Sequence, residues 1–255
     1  MIAVKKLGEQ IGCKTLWYSE TESTNDLANE AIRNKDENGT VFVADIQTKG
    51  RGQRNNAWES EPFKNLTFSF IIYPDFLKAE EQFLLSKAIS VAVVNFLKEC
   101  GLTAKIKWPN DIYVGDKKIT GILIEHNIIG NNIASSIVGV GLNVNQKKFL
   151  SNAPNPTSVL IELEREKELD REKSLKRLLF LFEKRYKALA VRDFENLEKD
   201  YFEHLYRNDG FYRYISNETE FWAKITGISN VGELLLETKD GEQRKFGFKE
   251  IAFVI

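Results

Sequence analysis

Residues 104–125 read AKIKWPNDIYVGDKKITGILIE. Short apolar pieces alternate with turn residues, which is the pattern of strands rather than of a helix. Ala104 to Trp108 predicts one strand. Ile112 to Val114 and Ile119 to Glu125 flank Gly115-Asp116-Lys117 and predict a β-hairpin with a short Gly-Asp turn. Lys107-Trp108-Pro109-Asn110-Asp111 puts a lysine and two side-chain oxygens at a strand end. Oxygen ligands suit magnesium and lysine suits phosphate. By themselves the same five residues equally fit a tight connection over a packed aromatic. Lys117 and Lys118 equally fit a solvated hairpin, while Gly121 inside a strand points to close approach by a backbone or a ligand.

On the N-terminal side, Leu16 to Ser19 predicts a strand, and Ser23, followed by Asp26, starts a helix over Thr24 to Arg33. Thr40 to Ile46 is β-rich and predicts a buried strand. Gln47 to Asn65 has almost no apolar residue before Trp58, and so long a structureless segment within a domain is usually functional or mobile. It contains Gly50-Arg51-Gly52-Gln53-Arg54. Two glycines permit close approach to a ligand, and successive N–H groups with arginines can hold an anion. The loop is neither a Walker A nor a dinucleotide motif, and a mobile basic loop accounts for it equally well. Leu66 to Tyr73 is a further strand, and Glu80 to Cys100 a core helix ended by Gly101.

On the C-terminal side, Asn131-Asn132 is a turn, Ile133 to Val144 a strand, and Pro154 and Pro156 mark a loop. Glu164 to Val191 predicts a long amphipathic helix or helix pair, with the run EREKELDREK as its solvated face. Beyond Asp209-Gly210, short strands separated by turn residues predict a small β-barrel.

The chain has 255 residues, 42% hydrophobic and 29% charged, which suffices for a sizeable core without disulfide or metal staples. Thirty-six basic residues against 37 acidic give a net charge of -1, which argues against a nonspecific nucleic-acid binder. Cys13 and Cys100 read as inert thiols of a reducing compartment. With His126 and His204 the only histidines, no spacing suits zinc. The N-terminus carries no signal-peptide run and no stretch suffices for a membrane span, so a cytoplasmic protein is expected.

The order Ser23-Thr24-Asn25, Gln47, GRG at Gly50 to Gly52, Trp58, KWPND, KITGILIE and Val138-Gly139-Val140-Gly141-Leu142-Asn143 resembles the biotin protein ligases. The resemblance covers Leu16 to Asn145, with a weaker signal in the C-terminal segment. It implies an α+β fold with a mixed, largely antiparallel sheet and packed helices, of the class II synthetase-like kind. It also implies a catalytic domain over residues 1–205 and a small SH3-like barrel over 206–255. The motifs begin so early that the short subclass, without a DNA-binding helix-turn-helix, is expected.

The activity implied is two-step. ATP activates biotin as biotinyl-5′-adenylate, and a lysine of a biotin carboxyl-carrier domain then receives the biotinyl group. Carried over by resemblance, Ser23, Thr24, Asn25 and Gln47 bind the biotin head. Arg51 and Gly52, with Gln53 beside them, face the carboxylate and phosphate. Gly121, Ile122 and Leu123 wall the biotin, and Gly139 and Gly141 let a strand pass close to that wall. Trp58 packs near adenine. Lys118, with Arg51, is catalytic and contacts the carboxylate and α-phosphate. Arg54, Lys107, Asn110, Asp111 and Asn143 complete the ATP side, with Mg²⁺ expected near Asp111. Family members often carry two further arginines where this chain has Gln53 and Asn56, so either charge near the phosphates falls to Arg54, Lys49 or Lys107, or the adenylate is held less tightly. A lipoate–protein ligase is the nearest alternative. No nucleic-acid or membrane partner is expected, and an exposed strand could pair two chains as a homodimer.

Overall fold

Leu66–Ile72 is buried at all seven positions and Val41–Ala44 at all four, and these two strands mark the middle of the molecule in a computed structural model. The structure describes residues 1–53, 56–150 and 155–254. Strands buried on both faces lose the alternation of a half-exposed strand, which is why these runs are almost wholly apolar.

The main sheet has eight strands: β1 (Ile2–Lys5), β2 (Thr15–Tyr18), β3 (Val41–Ala44), β4 (Leu66–Ile72), β5 (Ala104–Lys107), β6 (Asp111–Val114), β7 (Lys117–Ile129) and β8 (Asn132–Leu142). Their spatial order is β1-β2-β3-β4-β8-β7-β6-β5. Only the β2–β3 pairing is parallel, and helix α1 (Thr24–Arg33) supplies its crossover. The expected mixed, largely antiparallel sheet is therefore present. On one face α1 buries Ala28 and Ala31 against Phe42, Ile71 and Ile137. On the other face α2 (Phe83–Glu99) and α4 (Arg171–Ala190) cover the principal core, including Phe68, Phe70, Phe182 and Leu178. Each such large apolar side chain contributes about 1.5–3 kcal/mol when fully buried.

Two short helices lie outside the sequence expectation: α3 (Val159–Glu162) and α5 (Phe194–Glu203). The helix expected over Glu164 to Val191 starts only at Arg171, because Asp170 caps it by accepting from the Lys173 N–H at 3.0 Å. Preceding residues 164–168 are exposed, without an apolar stripe to pack. Arg171 departs from the expected solvated face, pairing instead with Asp45 at 2.7 Å.

After α5, the chain forms a five-stranded antiparallel sheet of β9 (Tyr212–Ser216), β10 (Thr219–Ile228), β11 (Leu234–Thr238), β12 (Gln243–Phe246) and β13 (Ala252–Phe253), in the order β12-β11-β10-β9-β13. A seam joins it to the main sheet. The Trp108 indole N–H donates to the Gly232 carbonyl at 2.8 Å, and Phe248 packs on both Trp108 and Phe83. Among the described residues no helix is long and apolar enough to cross a membrane.

Candidate active site

Ser23, Thr24 and Asn25 stand at the start of α1 and are all buried. Ser23 occupies the N-cap position, yet its side chain makes no capping bond among the described residues. Gln47 takes part of that role, because its Oε1 accepts from the Thr24 N–H at 2.8 Å. The Thr24 hydroxyl lies 2.7 Å from that of Ser69 on β4, and Ser69 donates to Asn25 Oδ1 at 2.6 Å. Asn25 Nδ2 donates to Glu125 on β7 at 2.6 Å. This places Asn25 directly over β8. A Cβ added to Gly139 would meet Asn25 Oδ1 at 2.2 Å, so only glycine leaves room there.

The segment after Gln47 doubles back across the sheet. Trp58 N donates to the Gly50 carbonyl at 2.9 Å, and Arg51 bridges to Ala57. The turn lays the Trp58 indole on the backbones of β7 and β8. A Cβ at Gly121 would lie 2.8 Å from the ring and one at Gly141 only 2.3 Å. The buried Trp58 Nε1–H has no hydrogen-bond partner among the described residues. Arg51 pairs with Asp26 of α1 at 2.7 Å and lies 3.6 Å from Glu125.

Lys118, at the start of β7, pairs with Asp111 at 2.7 Å, its ammonium 5.7 Å from the Trp58 ring centre. Its backbone N–H and carbonyl are held by Asn155 and Thr157. Asn110 donates to the Ile122 carbonyl at 2.6 Å. One cavity of about 190 Å³ is lined by these groups: Arg51 stands beside Asn25, both reaching toward Glu125, and Asp111 and Lys118 line it as a pair.

Of the residues singled out in the sequence, Ser23, Thr24, Asn25, Gln47, Arg51, Gly52, Gln53, Trp58, Asn110, Asp111, Lys118, Gly121, Ile122, Leu123, Gly139 and Gly141 all line this cavity. Lys107 and Asn143 do not. The Lys107 ammonium lies over the Tyr113 and Phe253 rings, 4.9 and 5.3 Å from their centres. Burial lowers its pKa, against the raising effect of Asp111. Its place at the seam with the C-terminal sheet, beside Phe253, explains the displacement. Buried Asn143 spends its side chain on the Thr157 carbonyl at 2.9 Å and on Asn65. Lys49 pairs with exposed Glu22 rather than facing the cavity. Lys117 pairs with Glu162. Arg54 and Pro154 lie outside the described residues.

The cavity also has walls that sequence reasoning passed over. Thr67, Phe68 and Val140 arrive through the β4–β8 register, which opposes Thr67 to Gly141 and Phe68 to Val140. Ala57 precedes Trp58 in the loop, and Asn56, noted earlier only for the arginine it replaces, lies beside it. Lys249 comes from the turn between β12 and β13, and no local motif announces it.

The profile of the Biotin/lipoate A/B protein ligase family matches residues 17–143, the stretch that supplies every described wall of this cavity except Lys249. The bifunctional ligase/repressor BirA of Bacillus subtilis is 33% identical over 236 residues, covering 91% of this chain and 72% of its own length. The chain belongs to the biotin/lipoate protein ligase family. Biotin–protein ligase 1 of Arabidopsis thaliana, a chloroplast member, is 34% identical over 195 residues, covering 73% of this chain and 51% of its own. The biotin protein ligase of Aquifex aeolicus, solved in complex with biotin and ATP, superposes with a TM-score of 0.77 at 26% identity, covering 94% of this chain and 98% of that one.

Proposed function

We propose that this chain is an ATP-dependent biotin–protein ligase, forming biotinyl-5′-AMP and passing the biotinyl group to a lysine of a biotin carboxyl-carrier domain. The observation that carries the reading is one cavity lined both by the neutral hydrogen-bonding side chains of Thr24, Asn25 and Gln47 and by the cations Arg51 and Lys118. A biotin head is a neutral ureido group and its tail ends in a carboxylate, so the two kinds of lining group match the two parts of one substrate. The family also includes lipoate ligases, but the Arabidopsis relative and the Aquifex structure cited above are biotin ligases.

In the first step a carboxylate oxygen attacks the α-phosphorus of ATP, the bond to the β-phosphate breaks, and pyrophosphate leaves. The carboxylate must approach a polyanion, and fixed cations offset that repulsion without reorganising during reaction. Lys118, held by Asp111, and Arg51 are the cations that line the cavity. In the second step a neutral lysine amine attacks the acyl carbon, AMP leaves, and the amine releases its proton.

ATP brings Mg²⁺. Among the described residues no three His, Cys, Asp or Glu side chains cluster as a metal cage. The donor set fits a metal held chiefly by the phosphates, with Asp111 as the protein carboxylate beside it, and the ion would supply charge neutralisation there.

At about 190 Å³ the cavity is smaller than the ~300–1,000 Å³ of ligand pockets in general, so Trp58 and its loop give way when both substrates enter. The Trp58 N–H, left without a partner, is then a donor that the adenylate can satisfy. A loop that reseats over the adenylate shields its anhydride from water.

The five C-terminal strands form an SH3-like barrel over 206–255, beside a catalytic domain over 1–205. Edge strand β1, with Ile2 and Val4 exposed, is one that a second copy could pair with. Two free cysteines suit a reducing, cytoplasmic setting. Incubation with biotin, ATP, Mg²⁺ and a carrier domain should add one biotinyl mass to the acceptor lysine. Transfer of lipoate instead, or of neither, would overturn the reading.

A further inference from the structure

Glu125 does not line the cavity, yet it stands at the end of the hydrogen-bond chain that does. An ionised carboxylate accepts hydrogen bonds and never donates. Asn25 must therefore turn its NH₂ toward Glu125, 2.6 Å away, which leaves Oδ1 toward Ser69. Ser69 has one hydroxyl proton and gives it to that Oδ1. Its oxygen is then the acceptor in the 2.7 Å contact with Thr24, so Thr24 is the donor there. The order Thr24→Ser69→Asn25→Glu125 thus has one direction, set by the member that can only accept. Gln47 Oε1, 3.1 Å from the Thr24 hydroxyl, competes for that proton, but the Ser69 oxygen is nearer at 2.7 Å and takes it, so Thr24 turns its lone pairs outward toward Gln47 and the cavity. Gln47 Oε1 is meanwhile held by the Thr24 N–H.

Building on the proposed biotin-ligase reading, we infer that Glu125 is a positioning residue that fixes the hydrogen-bond polarity of the biotin-head subsite. A ureido ring carries two N–H donors, and the Thr24 lone pairs answer them only while the chain keeps this direction. Arg51 lies 3.6 Å from the same carboxylate, so the glycine-rich loop touches the group that orders the head site.

Glu125→Gln keeps the shape but offers a donor as well as an acceptor, so the Asn25 amide can flip and the chain can run either way. Titration with biotin alone, by calorimetry, reads the consequence. Wild type should bind. Glu125→Gln should bind at least about fivefold more weakly, with an unchanged ATP KM in pyrophosphate release and an unchanged melting temperature. Ser69→Ala, which cuts the chain at a buried residue outside the cavity, should give the same selective loss. In Asn25→Ala, adding Glu125→Gln should change nothing further, because Glu125 acts through Asn25. Biotin affinity within twofold of wild type in both Glu125→Gln and Ser69→Ala would overturn the inference alone. So would an additive double variant, or equal losses for biotin and ATP. A wild-type protein that does not bind biotin would overturn the ligase reading and the inference together.

Discussion

Replacing Gly141 by alanine tests whether the strand floor beneath Trp58 governs activity. The backbone there does not have the positive φ that favours glycine, so the new methyl group is the whole perturbation. It would stand 2.3, 2.5 and 2.7 Å from Trp58 Cε2, Nε1 and Cζ2. Non-bonded carbons settle near 3.5–4.0 Å, so the indole must withdraw by more than about 1 Å. Forcing an extra methyl group into a packed site costs about 1–3 kcal/mol. If that cost falls on the closed, reacting state, adenylate formation slows by about five- to 160-fold. Gly121→Ala, with its nearest contact at 2.8 Å, should be milder. Gly227→Ala, which meets nothing closer than Leu235 at 3.7 Å, serves as the control. Pyrophosphate release with biotin and ATP gives the rate, and Trp58→Phe in the same background shows whether the indole transmits the effect. Wild-type rates in Gly141→Ala, or equal losses in all three glycine variants, would refute the reasoning.

Lys118→Ala should lower adenylate formation by at least about tenfold, or about 1.4 kcal/mol of barrier, and normal pyrophosphate release by that variant would exclude a charge-stabilising role. Arg51→Ala should raise the biotin KM or let free biotinyl-AMP escape, both read by chromatography of the reaction mixture; a normal KM with no escape would count against the assignment. His126 offers a pH test: burial lowers its pKa from 6.5 to about 4. The unfolded chain then binds the extra proton first, so stability is intact above the unfolded value and falls as pH drops through 6.5 toward 4. The full loss is about 3 kcal/mol at 1.36 kcal/mol per pKa unit, and urea unfolding of His126→Gln should show a flatter decline over that window. Identical pH slopes for the two proteins would remove His126 as the cause.

Except for β1 (Ile2–Lys5), which the sequence reading did not give, strand and helix positions in the main sheet were legible because their cause is local. Thr24–Arg33 carries its acidic first turn and amphipathic face within ten residues, and the Gly115-Asp116 hairpin carries its own turn. The cavity was legible for a related reason, since its glycines and cations sit in short motifs that the sheet merely brings side by side. What the sequence hid was set by neighbours distant along the chain. Lys107 reads like Lys118, but its position at the seam leaves it between aromatic rings. Lys249 reaches the cavity only because the C-terminal sheet docks against Trp108. Arg171 sits in an outwardly solvated run and is drawn inward by Asp45, far earlier in the chain. The start of α4 was misplaced because Asp170 is one more charge in a charged run until its capping bond is seen.

The KWPND segment has a consequence for how this protein would respond to random mutation. Asn110 and Asp111 face the cavity, while Trp108 and Lys107 face the C-terminal sheet. A scan scored by growth or labelling would mark all four as indispensable and, from adjacency, assign them one job. Two would fail by losing chemistry and two by loosening the seam between sheets. Only the second pair could be rescued by compensating changes on the opposite wall, at Gly232, Phe248 or Phe253, so second-site suppressors would separate two phenotypes that the primary sequence runs together.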